Sequence, residues 1–150
     1  MFELIEKIHE GSVLEINERI YRVLAKVKYV TESETSIWYA KIQLENHFVL
    51  VVAPFDNYMY FGHVGTPYPC DFPAPESIVY DGNTYTKDAE DYQIVKEFVF
   101  GDFLNMEGEV RYADFSSGDS LISLGVIVRT QERADVYAEV IGLANVNVIE

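Results

Sequence analysis

LEINERIY, residues 14–21, has the alternation of a β-hairpin around a polar pair. A two-residue turn at Asn17-Glu18 would pair Ile16 with Arg19. That register gathers the apolar side chains on one face, as a half-buried hairpin requires; these are Leu14, Ile16, Tyr21 and Val23. The stretch therefore predicts two antiparallel strands near the N-terminus.

A similar stretch, IVYDGNTY, occupies residues 78–85. The two stretches align at a constant offset of 64 positions, which matches Tyr85 with Tyr21 (85 − 21 = 64). Here Asp81-Gly82 is a strong turn signal, because both residue types tolerate positive φ. The first stretch has Glu18 where the second has Gly82, which predicts a weaker turn.

Two further segments also resemble each other. IWYAKI (37–42) aligns with VRYADF (110–115), and each is followed by an apolar strand, at 47–53 and 121–130. We therefore expect two similar halves, 12–53 and 76–130, which could reflect an internal duplication or only the small alphabet of strands and turns.

The chain as a whole is expected to form one mostly β domain over residues 1–150. Its 14% aromatic content favours strands. The expected architecture is two antiparallel sheets, packed as a sandwich or forming a partly open barrel. One short helix is predicted at residues 2–9, where apolar residues follow helical spacing.

The segment 54–77 is expected to be a long loop between the halves, because it carries all five prolines of the chain. Loops of this length are uncommon unless they are functional. Its aromatic rings could form a contact surface, or they could cap the end of the β core. The predicted ligand or partner contacts are Tyr58, Tyr60, Phe61, His63, Tyr68 and Phe72.

The net charge of −14 argues against binding to nucleic acid or to an anionic membrane surface. The longest apolar run has eight residues, FVLVVAPF, which is too short for membrane insertion. A single cysteine, Cys70, and an N-terminus without signal-peptide order favour the cytoplasm. The acidic excess is interpreted as a solubility device, with a basic partner as the alternative.

No catalytic motif stands out. His63, Cys70 and Asp71 share one segment, but the usual ligand set of a closed zinc site is missing. Cys70 could act as a nucleophile with His63 as its base, although no sequence feature lowers its pKa. We predict no catalytic residue, no metal and no cofactor.

The order of turn and aromatic positions resembles a bacterial family known as domain of unknown function 4178. The resemblance spans residues 11 to about 148. The family's strand tends to read Trp-Glu-Tyr, whereas here Trp38 is followed directly by Tyr39-Ala40, and Glu18 replaces the glycine of the first turn. It implies an all-β bacterial domain and no functional residues. The residues that carry it are Asn17, Tyr21, Val23, Trp38, Tyr39, Gly82, Tyr85, Tyr112, Asp114, Phe115, Leu121 and Ser123.

The leading hypothesis from the sequence is a non-catalytic protein-interaction module with an unidentified protein partner. The alternative is a small-molecule or carbohydrate-binding domain that uses the 54–77 segment. A small hydrolase based on His63 and Cys70 is the third hypothesis. The sequence makes no prediction of oligomeric state.

Overall fold

The computed structural model of the chain describes residues 1–101 and 108–150. One short helix, α1 (Phe2–Lys7), precedes the strands, as the sequence predicted. In the described residues, no helix is long and apolar enough to cross a membrane. The strands are β1 (Val13–Ile16), β2 (Arg19–Thr31), β3 (Glu34–Leu44), β4 (Phe48–Ala53), β5 (Tyr58–Gly65), β6 (Ser77–Tyr80), β7 (Asn83–Phe100), β8 (Val110–Ser117), β9 (Ser120–Ile127), β10 (Asp135–Val140) and β11 (Val146–Val148).

Eight antiparallel strands close into one barrel, in the order β2-β3-β4-β5-β10-β9-β8-β7. The closing pair is β2 with β7, whose partners run from Lys26 with Phe100 to Thr31 with Gln93. The strands β1, β6 and β11 are additions to this barrel. The expectation of two sheets, as a sandwich or a partly open barrel, is therefore wrong, whereas a mostly β fold with one short helix is confirmed.

The length of two strands is the physical reason for the closure. β2 has 13 residues and β7 has 18, so each can pair with its hairpin partner at one end and with the other at its far end. The hairpin pattern in the sequence shows only the first of these pairings.

Both hairpins form with the expected register. Leu14 pairs with Tyr21 and Ile16 pairs with Arg19 in the first hairpin, which confirms the predicted two-residue turn. Ile78 pairs with Tyr85 in the second. The turn residues of both hairpins have positive φ, at 50° and 69° for Asn17-Glu18 and at 49° and 79° for Asp81-Gly82.

In the part of the chain that the structure describes, the buried apolar residues form three clusters, because the side chains of a strand alternate between its two faces. The first lies inside the barrel and draws on Ala25, Val27, Tyr29, Val49, Val51, Val110 and Ile127. The second lies outside, where α1 and the first hairpin cover Ala40, Ile42, Leu44, Leu50 and Val52. The third also lies outside, where the second hairpin covers Ala113, Phe115, Ile122 and Leu124.

The segment 54–77 is not one loop. Residues Tyr58–Gly65 form β5, a barrel strand that pairs with β4 and β10. Pro54 precedes this strand and Pro67 follows it, so the prolines flank the ladder and leave its hydrogen bonds intact. The rest of the segment covers the outer side of β8 and β9. It contributes Tyr68, Cys70, Phe72 and Ala74 to the third cluster.

Candidate ligand site inside the barrel

A cavity of about 150 Å³ lies at one end of the barrel interior. Its wall is largely polar and aromatic, and it adjoins the mainly aliphatic cluster inside the barrel, with which it shares Val51. The cavity is lined by Thr31, Tyr39, Lys41, Val51, Ala53, Tyr58, Tyr60, Gln93, Tyr112, Asp114 and Ser123.

Lys41 is the cationic group of this cavity. Its Nζ donates a hydrogen bond of 3.2 Å to Oε1 of Gln93, which also accepts a bond of 2.5 Å from the Tyr39 hydroxyl. The ammonium lies 5.0 Å from the ring centroid of Tyr29, a cation–π distance. Burial lowers the pKa of Lys41 to about 8, although the Asp114 carboxylate opposes this shift.

Asp114 is the anionic group of the cavity. Its Oδ1 accepts a hydrogen bond of 2.6 Å from the Ser123 hydroxyl. Burial raises the pKa of Asp114, while the Ser123 bond and the charge of Lys41 act in the opposite direction. Among the described residues, the lysine and aspartate of this wall make no ion pair with each other or with a third group. The two opposite charges are thus held apart by their own polar partners.

The cavity continues into a second space of about 360 Å³. The two spaces share Tyr58, Tyr60, Asp114 and Ser123, and the outer one adds the carboxylates of Asp56 and Asp88. Both added carboxylates belong to exposed residues, one in the β4–β5 turn and the other at a register irregularity of β7. Lys41 therefore borders the inner space alone, Asp114 lies at the junction of the two spaces, and the outer space is acidic.

Tyrosine hydroxyls complete the wall. Burial raises the pKa of Tyr39 and Tyr60 well above the usual value, and nearby charge from Asp114 adds to the effect. Burial also raises the pKa of Tyr58 and Tyr112, with Asp114 as the next cause. These groups stay protonated at neutral pH, so they can donate hydrogen bonds to a ligand as well as present ring faces.

The six predicted contact residues do not form one site. Tyr58 and Tyr60 line the inner cavity, and Phe61 and His63 lie on the outer face of the barrel. Tyr68 follows β5 and borders the same outer space as His63. Phe72 lies in a third place, where its ring centroid is 5.5 Å from the guanidinium carbon of Arg111 and 5.6 Å from that of Arg133. The structure thus divides the predicted surface between the inside of the barrel, its outside and the covering segment.

The outer-face residues belong to a groove between the two hairpins. The ring of Phe61 stacks on Phe48 at 5.4 Å, and His63 stacks on Tyr137 at 6.0 Å. Tyr80 extends the row, with its ring 4.8 Å from that of Tyr137. Two adjoining spaces of about 570 Å³ and 450 Å³ lie along this row.

A buried carboxylate fastens the covering segment 66–76 to the barrel. Asp135 is fully buried, and its Oδ2 accepts bonds of 2.8 Å from both the Tyr68 backbone N–H and the Arg133 guanidinium. Arg133 also donates to the backbone carbonyls of Cys70 (3.0 Å) and Tyr68 (3.1 Å). This segment therefore has the contacts of a fixed cover.

His63 and Cys70, the pair considered for hydrolysis, line different cavities. His63 lies along the outer groove, whereas Cys70 faces a space shared with Arg111 and Arg133. Burial raises the pKa of the Cys70 thiol, although Arg133 acts in the opposite direction. The raised pKa disfavours the thiolate that a nucleophilic cysteine needs.

Sequence reasoning missed Lys41 and Asp114 as site residues. They occupy the same position in the two aligned segments, IWYAKI and VRYADF, one residue after the shared Tyr-Ala pair. In a two-sheet fold their face would point to solvent, where charged residues are unremarkable. In a closed barrel the same face lines the interior, so the opposite charges at one aligned position were the available signal.

Comparison with known proteins gave no match to a family model, a curated protein or a solved structure. The resemblance to the bacterial family described above therefore stays a prediction. The site has to be interpreted from its own geometry.

Proposed function

We propose that this protein is a non-catalytic binding domain for a small polar molecule, held at the polar end of the barrel interior. The observation that carries the proposal is the pair of opposite, separately held charges, Lys41 and Asp114, in the wall of one cavity. Lys41 and Asp114 are both half-buried, and withdrawing charges from water costs free energy that an apolar filling would avoid. A ligand that contacts both groups gives a reason for keeping them.

The form of the cavity supports the same proposal. Ligand sites are concave, are lined by aromatic rings with a few polar groups, and often occupy the mouths of β-barrels. Four tyrosines, a serine and a glutamine supply these features here. The wider outer space offers a route of entry.

Protein contact, the leading hypothesis from the sequence, takes second place in this proposal. A protein partner would contact the outer groove, where Tyr80 is 40% exposed beside Tyr137. Carbohydrate binding would use the same rings. We also place the protein in the cytoplasm as part of the proposal, because its single cysteine is compatible with a reducing compartment.

A thermal-shift screen would test the interior site. The panel would contain amino acids, amines, carboxylates and neutral sugars, each measured on the wild-type protein and on two variants that fill the cavity. Ala53→Leu and Ser123→Leu add volume from different strands of the wall. Thr84→Leu, on an exposed position of β7, is the matched control.

The expected result is that at least one class of compound raises the Tm of the wild type and of the control. The same compound should leave the Tm of both filled variants unchanged, provided that they retain the wild-type circular dichroism. Stabilisation that survives filling would place the ligand outside the barrel and refute the proposal. The absence of stabilisation by every class in the panel would also count against it.

A further inference from the structure

From the order of charges along the cavity, we infer that the ligand is a small zwitterion, bound with its anionic group on Lys41 and its cationic group at Asp114. This inference rests on the proposed interior site and names the chemical class of its ligand. The ligand class that fits is an ω-amino carboxylate or an amino acid with a cationic side chain.

The inner end of the cavity suits an anion. Lys41 donates one hydrogen bond to Gln93, and an ammonium has three donors. The hydroxyls of Tyr60 and Tyr112 lie in the same wall and stay protonated, so they can donate to a carboxylate as well. A bound carboxylate would also give Lys41 an ion-pair partner, which it does not have among the described residues.

The outer end suits a cation. Asp114 has one oxygen engaged by Ser123, and the carboxylates of Asp56 and Asp88 follow it towards solvent. The ring of Tyr58 borders both spaces and can face an ammonium group. A cation at this end would lie between the junction carboxylate and the acidic entrance.

The overall field of the protein agrees with this polarity. A net charge of −14 repels a simple anion and attracts a cation. A simple cation would then meet Lys41 at the inner end of the cavity, where it would be repelled. A ligand with both charges satisfies the entrance and the inner end together.

The size of the cavity limits the ligand to a few heavy atoms at the inner end. About 150 Å³ accommodates a carboxylate with a short carbon chain, and the outer 360 Å³ can take the remainder. We therefore expect a preference among glycine, γ-aminobutyrate and ε-aminocaproate, because only one separation of charges will fit both groups.

Isothermal titration calorimetry with these three amino acids tests the inference. n-Hexylamine and hexanoate, each of which lacks one of the two charges, are the reference probes. We expect the best amino acid to bind the wild type at least about tenfold more tightly than either reference probe. Equal or weaker binding of every amino acid would overturn the zwitterion inference.

Two variants then assign the ends. Lys41→Met should weaken the amino acid at least about tenfold and leave n-hexylamine unchanged or tighter. Asp114→Asn should weaken both the amino acid and n-hexylamine and leave hexanoate unchanged or tighter. If either variant weakens all three probes equally, its residue has only a structural role and the assignment fails.

The experiment separates the two proposals. If a neutral sugar or a singly charged probe binds as tightly as the best amino acid, and the filled variants abolish that binding, the interior site is supported and the zwitterion class is refuted. Ser123→Ala provides a milder second variant at the cation end, because it frees the Asp114 oxygen without removing its charge. If Asp114→Asn fails to fold, Ser123→Ala replaces it in the test. Ser123→Ala should retain the wild-type order of affinity among the three amino acids.

Discussion

Val30 pairs directly with Ile94 where β2 and β7 close the barrel. The two residues are 64 positions apart (94 − 30 = 64), which is also the offset between the two hairpins. The flanking pairs are Tyr29 with Val95 and Thr31 with Gln93. A shift of 64 positions takes Tyr29 to Gln93 and Thr31 to Val95, so it converts one flanking pair into the other. The pairing at the seam is thus symmetric about Val30 and Ile94, while an internal duplication stays a prediction.

The two hairpin turns allow a matched test of backbone strain. Glu18 and Gly82 both have positive φ, at 69° and 79°. Because a side chain disfavours this conformation, Glu18→Gly should raise the free energy of unfolding by about 1 kcal/mol, and Gly82→Ala should lower it by about 1 kcal/mol. Among the described residues other than its chain neighbours, none would have an atom within 4 Å of the added Cβ at Gly82, so that cost is conformational. Urea unfolding measures both values, and a destabilised Glu18→Gly variant would contradict the prediction.

The junction of β5 with β10 depends on a close backbone approach at Gly62. A Cβ there would lie 2.0 Å from the Tyr137 carbonyl oxygen and 2.5 Å from the Ala138 Cα. Backbone atoms cannot move aside without separating the strands, so Gly62→Ala should cost about 3 kcal/mol or more of unfolding free energy.

Gly142→Ala is the control for this substitution, because its nearest neighbour would be 3.9 Å away. We expect it to change the unfolding free energy by about 0.5 kcal/mol or less. Amide hydrogen exchange should show lost protection in β5 and β10 for Gly62→Ala alone. Equal stability of the two variants would mean that the junction tolerates the extra atom.

Asp135 should be essential for holding the covering segment 66–76. Asp135→Ala leaves the Arg133 guanidinium without its carboxylate, and breaking a buried ion pair typically costs about 3–5 kcal/mol. We expect a loss of that size in chemical unfolding, together with faster proteolysis between residues 66 and 76. Glu139→Gln, exposed on the same strand, should change neither quantity. An intact, protease-resistant segment in Asp135→Ala would show that apolar contacts suffice.

Lys41 should give the stability a specific pH dependence. Its pKa is about 8 in the folded protein and 10.5 as the ordinary value. Between these values the unfolded chain binds more protons than the folded one, so stability rises with pH. Relative to Lys41→Met, the wild type should therefore gain of the order of 2 kcal/mol between pH 7 and 10.

The quantity to measure is the difference in unfolding free energy between the wild type and Lys41→Met, because every other titratable group is common to both proteins. Urea unfolding at several pH values gives it directly. Lys96→Met, at an exposed position of β7, controls for the loss of one positive charge. A wild-type advantage that stays constant or shrinks with rising pH would contradict the prediction.

The sequence by itself determined the local structure. Alternation around Asn17-Glu18 and Asp81-Gly82 was sufficient to predict both hairpins, and the spacing of Phe2, Leu4, Ile5 and Ile8 was sufficient to predict α1. These features depend on neighbours within a few residues, so their signal lies in short stretches of chain.

Only the tertiary structure decided what lies inside. Closure depends on pairing between β2 and β7, more than 60 residues apart, which a local pattern cannot report. That closure turns the apolar face of β3 outward, beneath α1 and the first hairpin, and turns Lys41 inward. It also divides Tyr58 and Tyr60 from Phe61 and His63, because alternate residues of β5 face opposite sides of the barrel wall.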